Sequence, residues 1–166
     1  MGFEPTFTKI RPRHEAARWR EGLEGTVVFT NGVFDLLHRG HVVLLEAARA
    51  EGDQLIVGIN SDASAQRIKG DGHPVVNQDD RARLIAAFAA VDCVVIFDED
   101  TPLQLITALE PDVLVKGSDY RPETTVGADV VTARGGRVKH VELVIDPQTT
   151  SVLSSTSIAE RVRASS

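Results

Sequence analysis

The sequence predicts a doubly wound α/β fold built on a five-stranded parallel sheet. Short apolar runs recur along the chain, separated by segments with helical periodicity. Polar residues gather just after the carboxyl ends of those runs, where ligands bind in such folds. At 166 residues, 42% hydrophobic and 25% charged, the chain suits one compact domain.

The runs Thr26–Thr30, Gln54–Asn60, Cys93–Phe97, Val113–Lys116 and Val138–Val144 are the five expected strands. Helices are expected over His41–Glu51, Ser61–Lys69, Asp79–Ala90, Val126–Arg134 and from Ser154 or Ser155 to Arg163. Another runs from Thr101-Pro102 to Leu109, with the threonine as cap and the proline in the first turn. Residues 1–25 stand apart: a short helix after Pro12 reads as an N-terminal extension packing on a domain of residues 26–166.

Bulk properties exclude several classes. A net charge of −6, with acidic and basic residues interspersed, gives no footprint for nucleic acid. The single cysteine, Cys93, lies in an apolar run and allows neither an internal disulfide nor a cysteine zinc cluster. No apolar stretch is long enough to span a bilayer and no leader peptide is evident, so the expected location is cytoplasmic.

Neither G-x-x-x-x-G-K-[ST] nor a G-x-G-x-x-G after a strand occurs, so phosphate would need another device. His38-Arg39-Gly40-His41 offers one. Two imidazoles three residues apart at a helix start point the same way, and the helix N-terminus adds free N–H groups and a positive dipole end. Gly32 and Gly40 let the backbone approach closely. A zinc pair would need a third protein ligand, and neither His73 nor His140 has a reason to converge on it, so no metal ligands are assigned.

Thr30-Asn31-Gly32-Val33-Phe34-Asp35 through His38 to His41 resembles the T-x-G-x-F-D-x-x-H-x-G-H signature of cytidylyltransferase-like nucleotidyltransferases, a Rossmann-like fold. Leu153-Ser154-Ser155-Thr156-Ser157-Ile158 is similar to their I-S-S-T-x-I motif. Asn60-Ser61-Asp62, Lys69-Gly70, Arg81 and Lys116-Gly117-Ser118-Asp119-Tyr120 look like the adenylyltransferases that make an ADP-heptose from heptose 1-phosphate, in a stand-alone form without the fused sugar kinase. Val33 and Ser118 depart from the commonest residues there.

The resemblance implies transfer of AMP from ATP to a heptose 1-phosphate, with release of pyrophosphate, for lipopolysaccharide or surface-glycan precursors. It assigns catalytic roles to His38, His41, Lys69 and Arg81. Nucleotide contacts fall to Thr30, Asn31, Gly32, Phe34, Lys116, Gly117, Asp119, Ser154, Ser155 and Thr156. Acceptor contacts fall to Asp35, Asn60, Asp62, Lys69 and Tyr120, with Asp35 also holding its loop by hydrogen bonds. Mg2+ is expected through the nucleotide phosphates, the partners are small molecules, and a homodimer is compatible with the resemblance. The alternatives are a glycerol-3-phosphate cytidylyltransferase or another enzyme joining an NTP to a phosphorylated substrate, and a nucleotide-binding module without turnover. A dinucleotide oxidoreductase is disfavoured by the missing glycine fingerprint.

Overall fold

A computed structural model describes residues 4–118 and 124–165. Five parallel strands form one sheet in the order β3-β2-β1-β4-β5. They are β1 (Val27–Gly32), β2 (Gln54–Asn60), β3 (Cys93–Phe97), β4 (Val113–Gly117) and β5 (Arg137–Val141). The helices are α1 (Arg13–Glu21), α2 (Arg39–Arg49), α3 (Asp62–Lys69), α4 (Gln78–Ala86), α5 (Leu103–Leu109), α6 (Ala128–Ala133) and α7 (Ser155–Ala164).

Side chains alternate across β1, and both faces are buried. Val28 joins Leu45 and Ala48 of α2 and Ala82 and Ile85 of α4 on one face. Val27 and Phe29 join Ala16 of α1, Leu105 and Ile106 of α5 and Val131 of α6 on the other. This is why the strands read as continuous apolar runs. Cys93 lies in the second cluster, and burial pushes its thiol up to about 11, so it is unsuited to nucleophilic work. Among the described residues no helix is long and apolar enough to cross a membrane.

The chain runs outward from β1 through β2 to β3, then returns to place β4 on the other side of β1. The winding reverses between β1 and β4, which leaves a crevice beyond their carboxyl ends. The starts of α2 and α7, from the two halves of the chain, converge on that crevice.

Several boundaries differ from the sequence expectation. Pro102, not Thr101, presents the first carbonyl to the helix, accepting from the Ile106 N–H at 2.9 Å. So α5 opens at Leu103 and no side chain caps it. Beyond Ala86 the chain tightens, with the Phe88 N–H on Ile85 O at 3.1 Å, and α4 stops four residues early. Gly127 adopts φ +86°, which helical backbone excludes, so α6 starts at Ala128. β5 ends at Val141, and the following residues leave the sheet to wall the crevice.

Phe29 is fully buried beneath Gly58, where an added Cβ would lie 2.9 Å from its ring. Phe29→Ala is expected to cost about 3–5 kcal/mol of stability, measured by urea unfolding.

Candidate active site

At the switch between β1 and β4 lies a cavity of about 240 Å³. Its lining includes Asn31 and Gly32 of β1, the loop residues Phe34, Asp35 and His38, and Gly40 and His41 of α2. Lys69 enters from the end of α3, Gly117 from β4, and Ser154 and Ser155 from the start of α7. A broader depression beside α1, lined by Arg13, His14 and Glu99 among others, has neither the paired imidazoles nor the facing starts of α2 and α7.

The two histidines are locked by the start of α2. His38 is its N-cap, and the Gly40 N–H donates to His38 Nδ1 at 3.1 Å. The His38 N–H in turn donates to His41 Nδ1 at 3.3 Å. The rings stack with centroids 3.8 Å apart and planes 28° apart. Each Nδ1 therefore accepts, so the proton of each neutral ring resides on Nε2. Capping uses the Nδ1 edge of each ring and leaves the Nε2 edge to carry the proton.

Burial is the largest influence on His41, followed by the nearby charges of His38 and Lys69; together they lower it to about 4. Burial also lowers His38. At neutral pH the pair is uncharged, and it presents two N–H donors to an anion without the cost of desolvating two imidazolium ions.

Phe34 and the two glycines shape the floor. Phe34 has φ +50°, uncommon for a residue with a side chain, and its ring lies 5.2 Å from that of His41. A Cβ on Gly32 would lie 3.2 Å from the Phe34 ring, and one on Gly40 would lie 2.9 Å from His38. The second helix start is built similarly. The Ser157 N–H donates to Ser154 Oγ at 3.1 Å, and the Ser155 hydroxyl donates to Leu36 O at 2.9 Å, tying α7 to the β1 loop. Two helix N-termini thus face one crevice, a setting suited to a multiply charged phosphate chain.

Other expected site residues stand elsewhere. Arg81 does not line the cavity. Its side chain is fully buried and engaged, with Nε donating to Val76 O at 2.8 Å, Nη1 to Val33 O at 2.5 Å and Nη2 to Asp62 Oδ1 at 2.7 Å. A group this enclosed holds backbone rather than ligand, and losing it would strand two carbonyl oxygens at about 1–3 kcal/mol each. Asp62 is accordingly paired with Arg81, and Asn60 turns inward to donate to Ser64 Oγ at 3.0 Å. Neither lines the cavity. Thr30 is fully buried below it, and Thr156 is exposed outside it. The buried Lys116 lies behind the wall with its Nζ on Asn31 Oδ1. Asp119 and Tyr120 lie outside the described residues.

Asp35 lines the cavity, but its oxygens are already engaged. The Val75 N–H donates at 2.9 Å, the Val76 N–H at 2.9 Å, and His73 Nδ1 at 3.2 Å. Burial alone would raise this carboxyl; the Val76 and Val75 amides and His73 outweigh it and hold the group below the usual carboxylate range.

Sequence reasoning missed one wall altogether. Val141 to Val144 and Val152-Leu153 close the cavity, with the Leu153 N–H on Val144 O at 2.8 Å and a bridge between Ile145 and Val152. A wall that presents mainly backbone and aliphatic surface carries no motif, and the signal open to inspection was the run of apolar residues continuing past the end of β5.

Fold and site together define a doubly wound α/β protein whose switch-point cavity is lined by two helix starts and a stacked histidine pair. The chain belongs to the cytidylyltransferase-like family, whose model matches residues 29–161. It is 59% identical over 138 residues to the bifunctional protein HldE of Mesorhizobium japonicum, covering 82% of this chain and 27% of that protein. It is 51% identical over 154 residues to the same-named protein of Caulobacter vibrioides, covering 91% and 32%. The chain thus spans about a quarter to a third of the length of these curated relatives. Among solved structures, the lipopolysaccharide core biosynthesis protein of Thermoplasma volcanium shares the fold with a TM-score of 0.60 at 24% identity, covering 79% of this chain and 100% of that one. The pantoate-beta-alanine ligase of Francisella tularensis shares it at 0.62 and 16%, covering 93% and 76%.

Gly40→Ala would drive its new Cβ into the His38 ring. On the nucleotide reading proposed below, ATP affinity is expected to fall about tenfold or more in a protein that still folds, since a displaced donor would lose its hydrogen bond to phosphate; titration calorimetry beside thermal melting checks this.

Proposed function

We propose that the chain is a nucleotidyltransferase that transfers AMP from ATP to a heptose 1-phosphate and releases pyrophosphate. The observation that carries this reading is the stacked His38–His41 pair at the start of α2, facing the start of α7 across one crevice. Membership of the cytidylyltransferase-like family and the identity to the HldE proteins support the class of reaction. The choice of heptose and of ATP rests on the likeness of Asn60-Ser61-Asp62, Lys69-Gly70 and Lys116-Gly117-Ser118-Asp119-Tyr120 to the heptose adenylyltransferases.

In this mechanism an oxygen of the sugar phosphate attacks the α-phosphorus in line. The bond from that phosphorus to the bridging oxygen breaks, and pyrophosphate leaves with the electron pair. The nucleophile is already an anion, so positioning and charge stabilisation dominate. His38 and His41 donate from Nε2 to the triphosphate, where charge shifts toward the leaving group. Bound anion favours protonated imidazole, so their pKa values rise as the nucleotide enters. The amides at the start of α7 take the far phosphates, and Lys69 closes over them from the end of α3. Magnesium accompanying the nucleotide would neutralise phosphate charge, with phosphate oxygens rather than side chains of this chain as its main ligands. Asp35 and Asp62, engaged by Val75, Val76, His73 and Arg81, are not needed for it.

We further assign residues 1–25 as an extension packed on the catalytic domain of residues 26–166, and place the reaction in the cytoplasm. The contacts of α1 with α5 and β3 support the first assignment.

Pyrophosphate release is measured with heptose 1-phosphate, magnesium and each of the four common NTPs. Turnover with ATP is expected, with His41→Ala reducing kcat about 100- to 1000-fold in a folded protein. Turnover with CTP and a polyol phosphate instead would move the substrate and contradict the heptose reading.

A further inference from the structure

Lys69 is the last residue of α3, and its side chain is exposed at the cavity. The tip that follows is loosely constrained. Gly70 and Gly72 adopt φ of +88° and +83°, and a Cβ at Gly70 would meet nothing within 4 Å. A lysine with a long flexible stem on such a tip is not placed by its own packing. Its position depends on how the chain is held on either side.

The return side is tied to the loop that follows β1. Asp35 takes the amides of Val75 and Val76 and the His73 ring, all 38 to 41 residues away in sequence. Arg81 joins the same two segments from beneath, through Val33 O and Val76 O, and reaches the first residue of α3 through Asp62. Val33, Asp35 and His38 belong to one loop, so the ties that hold 73–76 also set the distance from Lys69 to the histidine pair.

We infer that Asp35 and Arg81 form a clasp that presents Lys69 to the nucleotide phosphates, with His73 as its outermost strand. All three are positioning residues acting through Lys69 rather than phosphate ligands themselves. The inference rests on the proposal that Lys69 meets nucleotide phosphate, but not on the identity of the acceptor sugar.

The test is a double-mutant cycle on magnesium-ATP affinity, read by titration calorimetry on the whole chain. His73 belongs to neither apolar core cluster, so its replacement removes no core side chain. His73→Ala is expected to weaken ATP binding about fivefold with Lys69 present and less than about twofold in a Lys69→Ala background, the non-additivity of residues acting through one contact. His73→Asn, which keeps an N–H donor near the Nδ1 position, should restore affinity to within about twofold of the parent. Arg81→Lys, which keeps the charge but loses the fork, should show the same dependence on Lys69 if it folds; His73→Ala carries the test if it does not. Equal weakening in both backgrounds, no weakening by His73→Ala, or unchanged affinity in Lys69→Ala alone would each overturn the clasp. Failure to bind ATP at all would overturn the nucleotide reading and the clasp with it. ATP binding without transfer to heptose 1-phosphate would overturn only the proposed acceptor and leave the cycle decisive.

Discussion

The amide of Gly40 donates to His38 Nδ1, and the amide of His38 donates to His41 Nδ1; much of the site depends on this exchange. It satisfies donors that a helix start otherwise leaves unpaired. It also fixes the tautomer of both rings and stacks them. The ring edges opposite the helix become N–H donors, and burial keeps them neutral. Two N–H donors are thus placed at the cavity on uncharged rings, whose burial costs far less than that of two cations.

The fold brings this pair to its ligand by topology. The reversal of winding between β1 and β4 opens the crevice, and Ser155 reaches across 119 residues of sequence to Leu36 O. That bond makes the start of α7 a fixed partner of the start of α2. The buried fork of Arg81 and the carboxylate of Asp35 extend the same frame to the α3 side. Polar groups that are buried and satisfied here maintain distances between segments that no apolar contact would specify as narrowly.

The strands and the polar strand ends were legible because parallel strands buried on both faces leave apolar runs, and because loops at a switch point are polar. The histidine pair was legible because its spacing and the neighbouring glycine encode local geometry. Direction was not. Arg81, Asp62 and Asn60 stand at the expected places in the chain, yet each turns toward protein: Arg81 to Val33, Val76 and Asp62, and Asn60 to Ser64. The ends of α4, α5 and β5 were displaced for a similar reason: carbonyl partners and sheet edges, not residue preferences, decide them. The wall from Val141 to Val144 presents mostly aliphatic side chains and backbone, which leave no residue signature.

The central claim is that both imidazoles are neutral at working pH with the proton on Nε2. The most direct measurement is a nitrogen-15 NMR titration of the histidine rings in the ligand-free protein. Nε2 protonated and Nδ1 unprotonated in His38 and His41 at neutral pH, with His41 taking a second proton only near pH 4, is the expected result. Protons on Nδ1, or an imidazolium forming in His41 near its ordinary value of 6.5, would contradict the account.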